Sequence, residues 1–165
     1  MRFRIEQRFP GSVDDVEAIL IDPRFLERLA SLPKLGKPEL LEQVNDGDIV
    51  RQRVRYAFAG DLNSAARAVL DPARLTWVEE SALDRSTHRT TFRIVPDHYA
   101  DRLSCAGTFA LQPDTDGATV RVAEGELKVK MPLVGGKVER AILSGLEEHA
   151  ELEAEVVREW LQESR

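Results

Sequence analysis

The chain has 165 residues, which fits a single domain over residues 1–165 with a hydrophobic core of its own. Apolar residues make up 42% of the sequence and charged residues 32%, a balance typical of soluble globular proteins. The formal net charge of −6 argues against nucleic-acid binding through bulk positive charge. The single cysteine, Cys105, excludes an internal disulfide.

The sequence shows no pattern of a targeting or membrane-spanning segment. Residues 1–8 carry charges at every second or third position, so they lack the apolar centre of a signal peptide. Uninterrupted apolar runs reach four residues at most, whereas a spanning helix needs about 20. We therefore expect a cytoplasmic protein without a membrane span.

One strand and two short helices are predicted at the start of the chain. Apolar and charged residues alternate over residues 2–9, which predicts a strand with one face in solvent. Ser12 suits the N-cap of a helix that extends to about Asp22. Pro23 suits the start of a second helix, because a proline at the first helical position loses no hydrogen bond.

Short strands separated by turn residues are predicted from about residue 39 to residue 131. Residues 50–58 alternate most regularly, with arginines on the face opposite the apolar residues. Tight turns between successive strands predict an antiparallel sheet, since parallel strands need long crossovers. Apolar positions change parity between Val122 and Leu127, which predicts a β-bulge. The alanine-rich residues 62–70 are ambiguous between strand and helix.

A long helix is predicted between Leu133 and Gln162. No proline interrupts this segment, and apolar residues recur in it at helical spacing. A helix of about 25–28 residues would measure roughly 40 Å. The predicted order is therefore a strand, two short helices, a run of antiparallel strands and one long helix, an α+β protein.

Five segments and this order of elements carry a resemblance to a known fold. The segments are FRIE at 3–6, RLTWVE at 74–79, CAGT at 105–108, MPLVGGKVE at 131–139 and EVVREWL at 155–161. They resemble an uncharacterised bacterial domain-of-unknown-function family within the START-like (SRPBCC) superfamily. The resemblance implies the helix-grip fold, in which a curved antiparallel sheet wraps around a long C-terminal helix and leaves a cavity. It also implies an apolar small-molecule ligand of the lipid, sterol, polyketide or quinone type.

The parity of each strand assigns residues to the inner face of such a sheet, and helical spacing assigns the facing residues of the helix. An apolar pocket with a few converging polar groups is the usual form of a small-molecule site. The residues assigned to the ligand-binding cavity are Gln52, Val54, Tyr56, Phe58, Trp77, Phe92, Cys105, Phe109, Ile142, Leu146 and His149.

Acid–base chemistry in this cavity would depend on His88, Glu79 and His149. Each has a structural alternative. Either histidine suits a hydrogen-bonded core or rim position, and Glu79 suits a strand end or a solvated site. Cys105 suits a small buried hydrophobic position. Gln52 could equally be a hydrogen-bonding residue inside the cavity or have no role there.

Motifs for other site chemistry are missing from the sequence. The three histidines and the cysteine lack the paired spacing of metal ligands, so no metal site is expected. The serines lack a G-x-S-x-G context, and Gly135-Gly136 lacks the pattern of a phosphate-binding loop. No cofactor is expected.

Three hypotheses for function remain open. The first is a protein that binds an apolar small molecule without chemistry. The second is an enzyme of the polyketide cyclase or dehydratase kind. The third is a protein-interaction module with a basic outer sheet face formed by Arg2, Arg4, Arg8, Arg51, Arg53 and Arg55, although Glu6 and neighbouring acids would balance such a face. The sequence leaves the ligand and the oligomeric state open.

Overall fold

The computed structural model describes the backbone of residues 1–165 and the side chains of residues 1–64 and 66–165. Its strands are β1 (Arg2–Phe9), β2 (Glu39–Asp46), β3 (Ile49–Ala57), β4 (Thr76–Asp84), β5 (Arg89–Pro96), β6 (Leu103–Pro113) and β7 (Thr119–Val129). Its α-helices are α1 (Val13–Leu20), α2 (Pro23–Leu29), α3 (Ser64–Arg67) and α4 (Gly135–Glu163).

The strands form one antiparallel sheet in the order β1-β7-β6-β5-β4-β3-β2. Successive strands from β2 to β7 are neighbours, and β1 joins the far edge beside β7. Helix α4, 29 residues long, packs on β1 and β7. A sheet that wraps around a long C-terminal helix, with two short helices after the first strand, confirms the predicted helix-grip fold. Across the described chain, no helix is both long and apolar enough to cross a membrane.

The helix starts follow the local sequence. The Ser12 side chain accepts a hydrogen bond from the Asp15 N–H at 3.1 Å and caps α1. Asp22 caps α2 in the same way, immediately before Pro23. The ambiguous residues 62–70 contain helix α3, because the Asn63 side chain caps this short turn of helix.

The predicted bulge in β7 is wrong. Strand β7 pairs in unbroken register with both β1 and β6. Arg121 and Ala123 therefore share the inner face with Leu127, and the apolar side chain of Val122 lies on the opposite face. The alternation of apolar residues along β7 changes its phase because Val122 is buried on the outer side of the sheet, and the strand itself is regular.

Two separate clusters of buried side chains hold α4 against the sheet. The larger one joins the C-terminal part of α4 to α1, α2 and the end of β1, and includes Phe9, Val16, Phe25 and Val157. The smaller one joins Val138, near the start of α4, to β7. Each large apolar side chain buried here contributes about 1.5–3 kcal/mol. Both ends of α4 are therefore packed against other elements, whereas the middle of the helix lies over the sheet without a packed core between them.

The arginines of β1 and β3 do not form one basic surface. Four strands separate β1 from β3 in the sheet. Arg4 forms ion pairs with Glu6 and Glu124, as the alternative interpretation predicted. Nearer the opposite edge of the same outer face, Arg53 pairs with Glu80 at 3.5 Å. The continuous basic face that an interaction module would need is absent from the described side chains.

Candidate functional site

A cavity of about 570 Å³ lies between the inner face of the sheet and the middle of α4. This volume falls within the range of small-molecule sites. The structure places all of the residues assigned to a cavity in its wall: Gln52, Val54, Tyr56, Phe58, Trp77, Phe92, Cys105, Phe109, Ile142, Leu146 and His149. Glu79 and His88 line it too. Their part in ligand binding stays a prediction.

Aromatic side chains make up two parts of the sheet wall. Tyr56 and Trp77 are cross-strand partners whose rings stack at 5.9 Å between centroids. Phe92 and Phe109 stack at 4.5 Å on β5 and β6. Such pairs stabilise the wall by about 0.5–1.5 kcal/mol beyond their buried area. They give the cavity two rigid apolar surfaces.

A polar cluster crosses the cavity wall from sheet to helix. Arg121 on β7 forms an ion pair with Glu153 on α4, and both side chains are largely buried, with 14% and 17% of their surface exposed. Arg121 also donates to the Gln7 side-chain oxygen at 3.2 Å, and its guanidinium carbon lies 4.2 Å from the centre of the Phe109 ring. Gln7 in turn donates to the Ala150 carbonyl at 2.5 Å. The charge of Arg121 is thus balanced within the wall.

Glu79 lies on β4 in a cross-strand row of small and apolar residues. Its backbone partners are Val54 on β3 and Ile94 on β5. Burial, reinforced by the nearby charge of Glu153 and opposed by Arg121, raises the pKa of Glu79 to about 7. The carboxyl is therefore balanced between its protonated and ionised forms near neutral pH, which suits proton transfer or pairing with a ligand.

His149 lines the cavity from α4, one helical turn before Glu153. Its Nε2 lies 3.8 Å from a Glu153 carboxylate oxygen, and its Nδ1 is buried with no hydrogen-bond partner among the described side chains. Burial is the main cause of a lowered pKa for His149; Glu153 opposes the shift, and Arg121 adds to it. The ring is therefore neutral at neutral pH.

His88 stands apart from Glu79 and His149. Its Nδ1 lies 2.7 Å from a carboxylate oxygen of Glu17 on α1. Glu17, with a side chain only 3% exposed, also accepts a hydrogen bond from Arg85 at 3.2 Å. Since Glu17 is buried and needs partners, this contact is a structural one between α1 and the turn before β5.

The remaining polar candidates have distinct environments. Gln52 donates to the Gln43 side-chain oxygen at 2.9 Å, and Gln43 donates to the Ile21 carbonyl, so the pair connects β3 and the edge strand β2 to the end of α1. Burial raises the pKa of the Cys105 thiol to about 11. Burial also raises the pKa of Tyr56 well above its usual value, with Glu79 adding to the shift. Both groups stay protonated at neutral pH.

The polar cluster formed by Gln7, Arg121 and Glu153 was not predicted from the sequence. Glu153 carries a usable signal, because it lies four residues after His149 and so on the same side of α4. Arg121 shares the parity of Leu127, but the predicted bulge moved it to the outer face. Gln7 shares the parity of the inward residues Phe3 and Ile5 on β1. Among the described side chains, no group of three or more His, Cys, Asp or Glu is placed to hold a metal ion.

Solved structures share this architecture along nearly their whole length. The protein TTHA0849 from Thermus thermophilus superposes with a TM-score of 0.69 at 18% identity, covering 99% of each chain. The Zhui aromatase/cyclase from a Streptomyces species gives 0.67 at 15% identity, covering 98% of this chain and 93% of that one. Norcoclaurine synthase from Thalictrum flavum gives 0.66 at 19% identity, covering 99% and 87%. At these identities the likeness shows the fold alone, and no curated protein matches the sequence.

The curved antiparallel sheet, the long C-terminal helix and the cavity between them define a protein of the helix-grip fold. The chain belongs to the family described as Protein of unknown function (DUF2505), whose model matches residues 4–161.

Proposed function

We propose that the protein binds an apolar small molecule in the cavity between the sheet and α4. The observation that carries this proposal is the 570 Å³ of space beneath the middle of α4, between two clusters of packed side chains. Apolar and aromatic side chains such as Trp77, Phe92 and Leu127 form most of its wall. Displacing water from such a surface is favourable by about 25 cal/mol per Å² of apolar area.

The cavity wall also contains polar groups that could contact a polar end of the ligand. Glu79, His149 and the Arg121–Glu153 pair lie on the same cavity, so an amphiphilic molecule suits it better than a pure hydrocarbon. The lipid, sterol, polyketide and quinone classes all combine a large apolar body with few polar groups. An amphiphile of this kind is the ligand that the cavity suits.

Native mass spectrometry of the purified protein tests the proposal directly. We expect adducts of one small molecule per chain, and stabilisation against heat by amphiphiles but not by equally large polar molecules. A fluorescent apolar probe, N-phenylnaphthylamine, should bind in the cavity and be displaced by the same amphiphiles. A chain that carries no adduct, binds no probe and gains no thermal stability from any of these compounds would contradict the proposal.

A second candidate is an enzyme of the cyclase or dehydratase kind, which one observation favours. The carboxyl of Glu79, with its pKa raised to about 7, faces an apolar cavity that also holds His149. A general base works best with a pKa near the working pH. In a dehydration, the Glu79 carboxylate would take the proton from the carbon next to a ligand carbonyl, the C–O bond to the β-hydroxyl would break as the C=C bond forms, and the same proton would pass from Glu79 to the leaving hydroxyl, which departs as water and restores the carboxylate.

Mass spectrometry separates this candidate from binding alone. A β-hydroxy ketone incubated with the protein should lose one water, and Glu79→Gln should abolish the loss without abolishing probe binding. An unchanged substrate mass, or equal loss with Glu79→Gln, would reject a catalytic Glu79. His88 is left out of this set because it lies beside the Asp84–Arg89 pair, five positions along the sheet from the Glu79–Ile94 pair.

A further inference from the structure

Among the described side chains, the part of the cavity wall around Glu79 holds two carboxylates and one cation. Glu79 and Glu153 supply two carboxylates, and Arg121 is the cation beside them. Arg121 is already occupied, because it pairs with Glu153, donates to Gln7 and covers the ring of Phe109. Its remaining attraction for Glu79 is weaker than the combined effect of burial and of Glu153.

Of the side chains that the structure describes, no other one beside Glu79 supplies the missing positive charge. His149 is neutral, since protonation would bury an Nδ1–H group without an acceptor. Tyr56 and Cys105 also face Glu79 and stay protonated, hence uncharged. The other charged or titratable residues of the wall contact partners of their own: Glu17 with His88, Lys34 with Glu148, Asp61 with Arg67, and Arg74 with His98.

The carboxylate of Glu79 itself has no partner within the described structure. Among the side chains that the structure describes, none donates a hydrogen bond to it or pairs with it, although it lies in the wall of an open cavity. An ionised carboxylate in such surroundings is costly unless a donor or a cation reaches it. A ligand that brings a positive charge relieves this cost, whereas an anionic ligand would add a third negative group beside Glu79 and Glu153.

We propose that the cavity selects an apolar amine, whose protonated nitrogen pairs with the carboxylate of Glu79, and that it rejects apolar carboxylates such as fatty acids. This inference rests on the proposed function and adds the head group of the ligand. The ammonium group supplies three N–H donors to a site that has unused acceptor capacity. The apolar chain of the amine then lies against the aromatic part of the wall, beside Trp77 and Phe92.

Three probes with the same chain and different head groups test the inference: decylamine, decanol and decanoate. Their dissociation constants are measured by displacement of N-phenylnaphthylamine at about pH 8, where an alkylamine is protonated and Glu79 is largely ionised. The variants are Glu79→Gln and, as the matched control, Glu80→Gln. Glu80 is the next residue of β4 and pairs with Arg93 on the outer face, so its variant changes the net charge equally away from the cavity.

We expect decylamine to bind about tenfold or more tightly than decanol, and decanoate more weakly than either. Glu79→Gln should abolish the preference for decylamine over decanol, while Glu80→Gln should keep it. Equal binding of decylamine and decanol, tighter binding of decanoate, or a preference that survives Glu79→Gln would overturn the inference alone. Failure of all three probes to bind would overturn the proposed function itself.

Discussion

Arg121 on β7 and Glu153 on α4 form an ion pair inside the cavity wall, where the sheet and the long helix face each other across the space between the two core clusters. Both side chains lie largely out of solvent, and Gln7 adds a hydrogen bond from β1. The pair thus joins three elements at the place where apolar packing is missing. The same ion pair therefore contributes both to the attachment of the helix and to the polar surface of the cavity.

Breaking this pair should destabilise the protein. Arg121→Met leaves Glu153 buried without its partner, and loss of one member of a buried pair costs about 3–5 kcal/mol. Chemical unfolding monitored by circular dichroism measures the change. The double variant Arg121→Met with Glu153→Leu should regain most of the loss, because no unpaired charge remains. A single variant as stable as the original chain would show that the pair does not hold the helix to the sheet.

The stability of the protein should depend on pH through Glu79. Its pKa is about 7 in the fold, against 4.5 for the free group, so the folded chain binds the proton more tightly. The stabilisation by this proton is complete below about pH 4.5 and is lost as the pH rises through 7. Relative to Glu79→Gln, the original chain should lose about 1–3 kcal/mol over this interval. Parallel pH profiles of the two proteins would contradict the assigned environment of Glu79.

Removal of Glu17 should loosen α1 from the sheet. Its buried carboxylate accepts hydrogen bonds from Arg85 and contacts His88, and both partners can reach water once it is gone. Glu17→Ala should therefore cost about 1–3 kcal/mol of unfolding free energy. His88→Gln should cost less, since Arg85 still pairs with Glu17. A larger loss from His88→Gln than from Glu17→Ala would reverse this assignment.

The thiol of Cys105 should react slowly in the folded protein. Its pKa of about 11 lies two units above the ordinary value of 9, so the reactive thiolate is about a hundredfold less abundant. Alkylation by iodoacetamide at about pH 8, followed by mass spectrometry, should be slow in the native chain and fast in denaturant. Equal rates in both states would mean that the cavity does not shield the thiol.

Much of the fold follows from local patterns in the sequence. Alternation located β3 and the other strands to within a few residues, and the proline-free segment after Leu133 located α4. The pairing of β1 with β7 was not predicted, because pairing across more than a hundred residues leaves no local signal. Helix α3 was ambiguous because a single turn of helix is too short for a periodicity.

The apolar part of the cavity was predictable and its polar centre was not. Parity placed Trp77, Phe92 and Phe109 on the inner face because apolar side chains avoid water. The same rule does not select Arg121, since a charged residue is inward only when a partner such as Glu153 on a distant element neutralises it. Such pairing depends on tertiary structure and cannot be seen in either strand or helix alone.

One pair of glycine variants tests the central claim that the space under α4 binds an apolar molecule. Gly145 lies in the helical part of the wall, and a Cβ added there meets no atom within 4 Å, whereas Gly136 is an exposed glycine of the same helix outside the cavity. Gly145→Leu should fill part of the cavity, and Gly136→Leu is the matched control. In either variant, leucine stabilises the helix relative to glycine by up to about 1 kcal/mol.

Titration with N-phenylnaphthylamine compares the two variants with the original chain. We expect Gly145→Leu to weaken probe binding by about tenfold or more with no loss of stability, and Gly136→Leu to leave binding unchanged. Undiminished binding to a stably folded Gly145→Leu variant would show that the probe binds elsewhere and would contradict the account.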